Sequence, residues 1–308
     1  MSGRPLLPWR VMVNPAAADG RTGRRWKARE PLLRRILPDF EVYFTEGPGH
    51  AVVLGRRAAE EGVPVLAVHG GDGTINEAVN GLLSVEGPLP ALAVLPGGTG
   101  ADWVRSSGIP HSLAAAAHVA RNGSPRPMDL GRVQFLHPDG RRMERYFANV
   151  ADVGFGGELV RYVNGRSKRW GGRITFFQGL IRTLFNYGNK EMEILLDEGE
   201  RLRMRTCSVV VANGQFFGGG MWVAPQARVD DGFLEVVVIG DVTKTEFLTH
   251  LGLLYRGTIA RHPKVRTFRA KTVALHSDDE VWIDADGEEV GLLPARFEIL
   301  PEKICLIR

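Results

Sequence analysis

Two short apolar runs in the first third of the chain each end in glycines and then open a helix pattern. Val63 to Val68 is almost continuously apolar and stops at Gly70-Gly71, and Ala91 to Leu95 does the same before Pro96-Gly97-Gly98. A run that is apolar at nearly every position suits a strand covered on both faces, as in a parallel sheet flanked by helices. The neighbouring segments fit that frame. Trp9 to Val13 and Glu41 to Thr45 read as further strands, with helices through Trp26 to Leu37, Ala51 to Glu61 and Thr74 to Leu83. Pro31 should disturb the first helix, because proline removes one N–H and crowds the preceding turn. Two short helices lead to Arg121. Strand and helix alternating in this way predict a doubly wound α/β domain that binds ligands at the carboxyl ends of its strands.

The pattern changes after Met128. Arg145 to Val150, Glu191 to Leu196, Arg203 to Ala212, Phe233 to Ile239, Lys264 to Leu275 and Glu280 to Asp284 all read as extended, punctuated by Asp231-Gly232 and Asp286-Gly287. One helix, Ile174 to Tyr187, interrupts them. The expectation is a nucleotide-binding domain over residues 1–128 and an antiparallel β domain over 129–295, with 296–308 packing back on the first.

Composition narrows the class. With 308 residues, 44% hydrophobic and 24% charged, the chain has the balance of a globular protein rather than a disordered one. No apolar run reaches the roughly 18 residues of a membrane span. Met1 to Arg10 lacks the pattern of a signal peptide, and Cys207 and Cys305 sit in strand-like surroundings as reduced thiols would, so the expected location is cytoplasmic. The net charge is only +4, but Leu159 to Lys190 holds seven Lys or Arg and no Asp or Glu. Large apolar residues interleave with those bases, which suits a membrane surface better than a nucleic-acid groove.

The chemistry collects in the glycine loops. In Gly70-Gly71-Asp72-Gly73-Thr74 the glycines let backbone N–H groups approach a polyphosphate, and the helix start adds partial positive charge. Taken alone, the same residues describe a tight turn with a polar cap. Pro96-Gly97-Gly98-Thr99-Gly100, with Asp102 behind it, and Asn14-Pro15 after the first strand are two more polar strand ends of the same sheet. The chain has no Walker A motif, no G-x-G-x-x-G, no G-x-S-x-G and no His/Cys cluster at metal spacing.

Gly70-Gly71-Asp72-Gly73-Thr74-Ile75-Asn76-Glu77 resembles the G-G-D-G-T-x-N-E signature of the diacylglycerol kinase catalytic-domain family, which includes bacterial soluble lipid kinases and sphingosine and ceramide kinases. Gly98 to Arg105 is similar to that family's G-T-x-N-D-F-A-R, Met128 to Gly131 to its D-x-G, Ala224-Pro225 with Asp230 to Leu234 to its A-P-x-A-x-x-D-D-G-x-L, and Asp286-Gly287-Glu288 to its late D-G-E. The matches run in family order. Ala101 departs from the pattern where the family has Asn, and Trp103 stands for Phe.

The resemblance implies a NAD kinase- or phosphofructokinase-like α/β domain followed by an antiparallel β-sandwich. It implies an ATP- and Mg²⁺-dependent lipid kinase, with diacylglycerol as the default acceptor. Asn14, Pro15, Thr45, Gly70, Gly71, Asp72, Gly73, Thr74, Ile75, Asn76 and Thr99 would line the nucleotide site. Asp72, Asp102 and Asp129 would surround the phosphates and their metal. Asp231 with the carbonyls of Arg228 and Phe233 would hold a separate structural Mg²⁺, for which oxygen donors are suited. Glu288, with Asp286 as its near-equal rival, would act as general base. The lipid substrate would be met at the membrane surface, through Arg166, Lys168, Arg169 and Arg173 ahead of the apolar stripe Ile174, Phe177, Leu180, Ile181, Leu184 and Phe185; the same stripe would equally serve as packing against the β core. No nucleic-acid partner is expected, and a homodimer is compatible. The alternatives are a kinase of a soluble acceptor, akin to NAD kinase, and a catalytically weak lipid- or nucleotide-binding regulator.

Overall fold

The computed structural model describes residues 8–165, 172–197 and 199–308. The chain divides into two compact units, residues 1–128 with 302–308, and residues 129–301.

The first unit begins with β1 (Trp9–Val13), α1 (Arg21–Ile36), β2 (Phe40–Phe44), α2 (His50–Glu60), β3 (Val65–Gly70), α3 (Asp72–Leu82), β4 (Ala91–Pro96), α4 (Asp102–Ser106) and α5 (Leu113–Asn122). Its strands are parallel in the order β2-β1-β3-β4. The last residues of the chain extend this sheet, Leu306 pairing with Leu92 in parallel. Every residue of β3 is buried, as its unbroken apolar run requires. On one face Trp26, Leu33 and Ile36 of α1 and Ala117 and Ala120 of α5 pack against Val11, Val13, Val65, Ala67, Ala93 and Leu95. Elsewhere α2 and α3 pack tightly on each other. A Cβ on Gly55 would lie 2.5 Å from the Ala78 carbonyl oxygen, and one on Gly81 would lie 2.1 Å from that of Val52. Only glycine lets those two backbones approach so closely. Helix α1 runs on through Pro31 without ending there.

The second unit contains β5 (Pro125–Leu136, its first residues belonging to the first unit), β6 (Arg142–Phe147), β7 (Val150–Gly154), α6 (Phe155–Asn164), α7 (Gly172–Asn186), β8 (Lys190–Leu196), β9 (Glu200–Ala212), β10 (Phe216–Phe217), β11 (Met221–Trp222), β12 (Leu234–Gly240), α8 (Lys244–Tyr255), β13 (Val265–Ala270), β14 (Thr272–His276), β15 (Trp282–Ala285) and β16 (Glu288–Ile307, its residues from Glu302 on belonging to the first unit). Two long strands change partners along their length: β9 pairs with β8 along its first half and with β7 and β12 along its second, while β16 pairs first with β15 and then with β14. The strands fold into an antiparallel sandwich around Val133, Phe147, Val153, Ile194, Val209, Val211, Val236, Leu275, Ile283 and Phe297.

The structure departs from the sequence expectation in several places. Lys264 to Leu275 is two strands, β13 and β14, which pair with different partners. Arg145 to Val150 spans the end of β6 and the start of β7. Two helices, α6 and α8, have no counterpart in the sequence pattern. In α6 the pair Gly156-Gly157 argues against a helix by propensity, but a Cβ at Gly157 would lie 2.2 Å from the Trp282 carbonyl oxygen, so contact demands glycine there. Helix α8 lacks a clear apolar face, yet Thr243 and Glu246 form a reciprocal capping box that announces its start.

Candidate active site

Sequence-local rules account for the two glycine loops of the first unit, and contact between them gives the site its form. Gly71 caps α3 in an extended conformation, so Asp72, Gly73 and Thr74 form the first helical turn. A Cβ on Gly98 would lie 2.5 Å from the Cα of Gly71, and one on Gly100 would lie 2.8 Å from Asp72 Oδ2. The loops are therefore in backbone contact, and side chains at these glycines would part them. The Gly97 N–H donates to the Gly70 carbonyl at 2.9 Å. The Asp102 N–H donates to Asp72 Oδ2 at 3.2 Å. This bond answers the departure at Ala101, which has no side chain to cap α4: Asp72 accepts from the first turn of that helix instead.

Asn14 ties in the end of β1. Its Nδ2 donates to Thr74 Oγ1 at 2.8 Å, and its Oδ1 accepts the Ala16 N–H at 3.0 Å. Thr45 is buried at the end of β2, with its N–H on the Val13 carbonyl, while Thr99 is exposed. Asp102 is buried and paired with Arg105 at 3.2 Å. The last residue of the signature braces the helix before it. The Glu77 carboxylate accepts the N–H groups of Gly49 and Ala51 at 3.0 and 3.2 Å, capping α2.

Three residues that sequence reading passes over support these loops. His69 is fully buried; its Nδ1–H donates to the Leu95 carbonyl at 2.8 Å, which leaves Nε2 to accept from Arg29 at 3.0 Å. Burial, reinforced by the Arg29 charge and opposed by the Leu95 bond, lowers its pKa to about 4, so the ring is neutral. Thr22 of α1, also fully buried, donates to the Gly97 carbonyl at 2.5 Å. Neither His69 nor Thr22 belongs to a local motif, and only their long-range partners reveal them.

In the second unit the carboxylates divide by role. Asp129 is 2% exposed, and its Oδ2 accepts the Gly232 N–H at 2.7 Å. The sequence reading expects it beside the nucleotide phosphates; within this unit its carboxylate accepts from the Asp230–Gly232 turn. The same reading gives Asp231 a Mg²⁺, shared with the Arg228 and Phe233 carbonyls. In the structure Arg269 lies 2.6 Å from Asp231 Oδ2 and the Phe233 N–H lies 3.2 Å from Oδ1. The guanidinium also covers the Phe233 ring at 4.4 Å, so a protein cation balances this carboxylate. Among the described residues no three His, Cys, Asp or Glu are grouped to hold a metal.

Asp286 and Glu288 separate clearly. Asp286 has a φ of 53° and Gly287 of 86°, a tight turn between β15 and β16. The Asp286 carboxylate accepts three backbone N–H groups, from Ala148 at 2.7 Å, Asn149 at 3.0 Å and Val150 at 2.9 Å. Three such donors fix its position. Glu288, two residues on, is exposed.

Helix α7 presents two apolar faces. Leu180 and Leu184 pack with Phe155 and Leu159, whereas Phe177, Ile181 and Phe185 are 60%, 42% and 63% exposed. Of the bases expected ahead of it, Arg166, Lys168 and Arg169 lie outside the described residues, as does the Arg173 side chain.

Residues 8–133 match the diacylglycerol kinase catalytic domain, and residues 149–308 match the YegS C-terminal NAD kinase beta sandwich-like domain. The chain belongs to the diacylglycerol kinase family and is a kinase. A diacylglycerol kinase of Staphylococcus carnosus is 28% identical over 307 residues, 96% of this chain and 93% of the relative. One from Mycobacterium tuberculosis is 29% identical over 303 residues, 97% and 94% of the two chains. The crystal structure of a candidate diacylglycerol kinase from Bacillus anthracis has a TM-score of 0.79 at 26% identity, covering 97% of each chain. The family's two-domain plan, an α/β domain and a β-sandwich, is the architecture of this kinase. Its glycine-rich signature lies in the pair of touching loops.

Proposed function

We propose that this kinase transfers the γ-phosphate of Mg²⁺·ATP to the hydroxyl of a membrane lipid, diacylglycerol by default. The observation that carries the reading is the backbone contact of the two glycine loops, where a Cβ on Gly98 would lie 2.5 Å from the Gly71 Cα and one on Gly100 2.8 Å from Asp72 Oδ2. Two glycine-rich strand ends that each open a helix suit a polyphosphate, because backbone N–H groups and helix starts attract it. Asn14, Thr74 and Asp72 hold its shape, and Asp72 is the carboxylate placed to receive the metal carried by the phosphates. When bound, Mg²⁺·ATP supplies the electrophilic γ-phosphoryl group and masks its negative charge.

Glu288 is the general base of this reading. Asp286, held by three N–H donors, fixes the turn, while Glu288 is exposed and able to take a proton. With a lipid hydroxyl presented to it, the Glu288 carboxylate would accept that proton as the phosphoryl group is transferred and ADP leaves. The exposed Phe177, Ile181 and Phe185 supply apolar area for the edge of a bilayer, a surface on which the enzyme would meet its substrate without spanning it. No helix among the described residues is long and apolar enough to cross a membrane.

Turnover of γ-labelled ATP with mixed micelles of diacylglycerol, other lipid alcohols and a soluble acceptor such as NAD tests this. Labelled phospholipid supports the reading; label only in a soluble phosphoester, or ATP binding with no product, would sink it.

A further inference from the structure

Two aspartates sit buried behind the turn that carries Glu288. Strands β7 and β15 are antiparallel, and their register places Asp152 directly opposite Asp284. Their side chains therefore leave the same face of the sheet, with Cβ atoms about 5 Å apart. Asp152 is 3% exposed and Asp284 5%. Ser208 of β9 donates its hydroxyl to Asp152 Oδ1. Asp152 Oδ2 faces the first turn of α6 so closely that a Cβ on Gly156 would come within 2.1 Å of it. Asp284 Oδ1 accepts the Gly287 N–H at 2.7 Å and so closes the turn immediately before Glu288.

Among the described residues no basic side chain pairs with either aspartate. On the turn, the charges acting on Asp284 are those of Asp152, Asp286 and Glu288. From β9 comes the buried Cys207 thiol, and from the segment after α7 the Tyr187 hydroxyl, both of which feel the Asp152 charge. From α6 come Glu158 and Arg161, which pair with each other at 3.7 Å, and the Arg161 guanidinium lies over the Trp282 ring at 4.1 Å. Asp241 and Asp279 add further negative charge around Cys207 and Tyr187. Two buried carboxyl groups on one face, with no paired cation, cannot both ionise. Burial accordingly pushes Asp152 up to about 7 and raises Asp284 well above the usual carboxylate range.

We propose that Asp152 and Asp284 share a proton, and that this pair is a positioning element that holds the 284–287 turn and thereby aims Glu288. The proposal rests on the reading of Glu288 as base. While the proton is retained, the two strands are joined across the pair and the Gly287 bond is kept. When it is lost, two like charges face each other in a buried site, and β7 and β15 are pushed apart beneath the turn. Asp152 also ties folding to pH. Its folded value lies above its ordinary one, so the stabilisation is complete below about 4 and disappears as pH rises through about 7.

The test uses Asp152→Asn and Asp284→Asn, which keep the shape of the side chain and cannot ionise; if one fails to fold, the other serves. Thermal midpoints from about pH 5 to pH 9 should fall more steeply for the parent than for the variants, the difference isolating the pair from other titrating groups. The ratio of kcat near pH 9 to kcat near pH 6 should fall about fivefold or more in the parent and stay within about twofold of unity in the variants, with KM for ATP unaffected. Parallel melting curves for parent and folded variants would overturn the shared proton. A flattened melting curve with the parental kcat profile would overturn the positioning role. Glu288→Gln separates the underlying reading: it should abolish turnover and keep the parental melting slope, whereas parental turnover in that variant would remove Glu288 as base and with it the positioning role, leaving the shared proton to the melting curves.

Discussion

Asp72 Oδ2 accepts the backbone N–H of Asp102 at 3.2 Å, so the carboxylate of the first glycine loop also anchors the second. A residue that would otherwise be read as a metal ligand alone thereby carries part of the loop geometry, in a chain whose second loop has Ala101 at the cap.

Asp72→Ala should therefore do more than remove a ligand. Turnover should fall by about a thousandfold or more, as expected when a group stabilising phosphoryl charge is lost. Stability should also drop by about 1 kcal/mol, the usual worth of such a hydrogen bond. Steady-state kinetics and urea unfolding check the two effects; parental turnover in a folded variant would contradict the nucleotide assignment.

Gly98→Ala tests the loop contact. The new methyl would meet the Gly71 Cα at 2.5 Å, and a backbone atom cannot rotate away as a side chain can. The loops must separate, and nucleotide affinity should fall about tenfold or more for a loss of roughly 1.4 kcal/mol or greater. Titration calorimetry with an ATP analogue measures it.

His69 makes stability depend on acid. Its folded pKa of about 4 lies below the ordinary 6.5, so between those values the unfolded chain binds the extra proton. The stability tied to its neutral ring is full above about pH 6.5 and is lost as pH falls through about 4, an effect of roughly 1–3 kcal/mol. Urea midpoints across that range should decline for the parent, and His69→Gln should decline less.

Arg269→Ala releases the Asp231 carboxylate. With the guanidinium in place, Mg²⁺ titration should leave the parent's melting temperature unmoved at the level of this turn. In the variant, added Mg²⁺ should raise it, because the exposed oxygens then suit a hard cation. Asp231→Ala with Arg269→Ala should show no such gain. A parental Mg²⁺ shift abolished by Asp231→Ala alone would restore the turn as a metal site.

Phe177→Ser with Phe185→Ser addresses the outer face of α7. Both rings are more than half exposed, so melting should scarcely change. If they enter the bilayer edge, each contributes roughly 1.5–3 kcal/mol of apolar transfer, and vesicle association should weaken about tenfold or more. Co-sedimentation with lipid vesicles reads this directly, and unchanged association would assign lipid contact elsewhere.

Legibility varied with the range of the contacts involved. The glycine loops, the buried β3 run and the Asp286-Gly287 turn could be read locally, because glycine placement and apolar runs constrain the backbone within a few residues. Helix α8 could have been found from Thr243 and Glu246, whose spacing is a capping signal. Helix α6 could not, since Gly156-Gly157 lowers helix propensity and is explained only by the Asp152 and Trp282 atoms lying against it.

The same division runs through the site. By itself the sequence determined where backbone must bend tightly and where phosphate could approach, because those properties belong to glycines and their immediate neighbours. What Asp129, Asp231, Glu77 and Asp286 do was decided by tertiary structure. A carboxylate takes its role from whichever donor reaches it: Gly232 for Asp129, Arg269 for Asp231, the α2 N-terminus for Glu77, and Ala148, Asn149 and Val150 for Asp286. Those donors come from 26 to 138 residues away in the chain, beyond the reach of any local pattern.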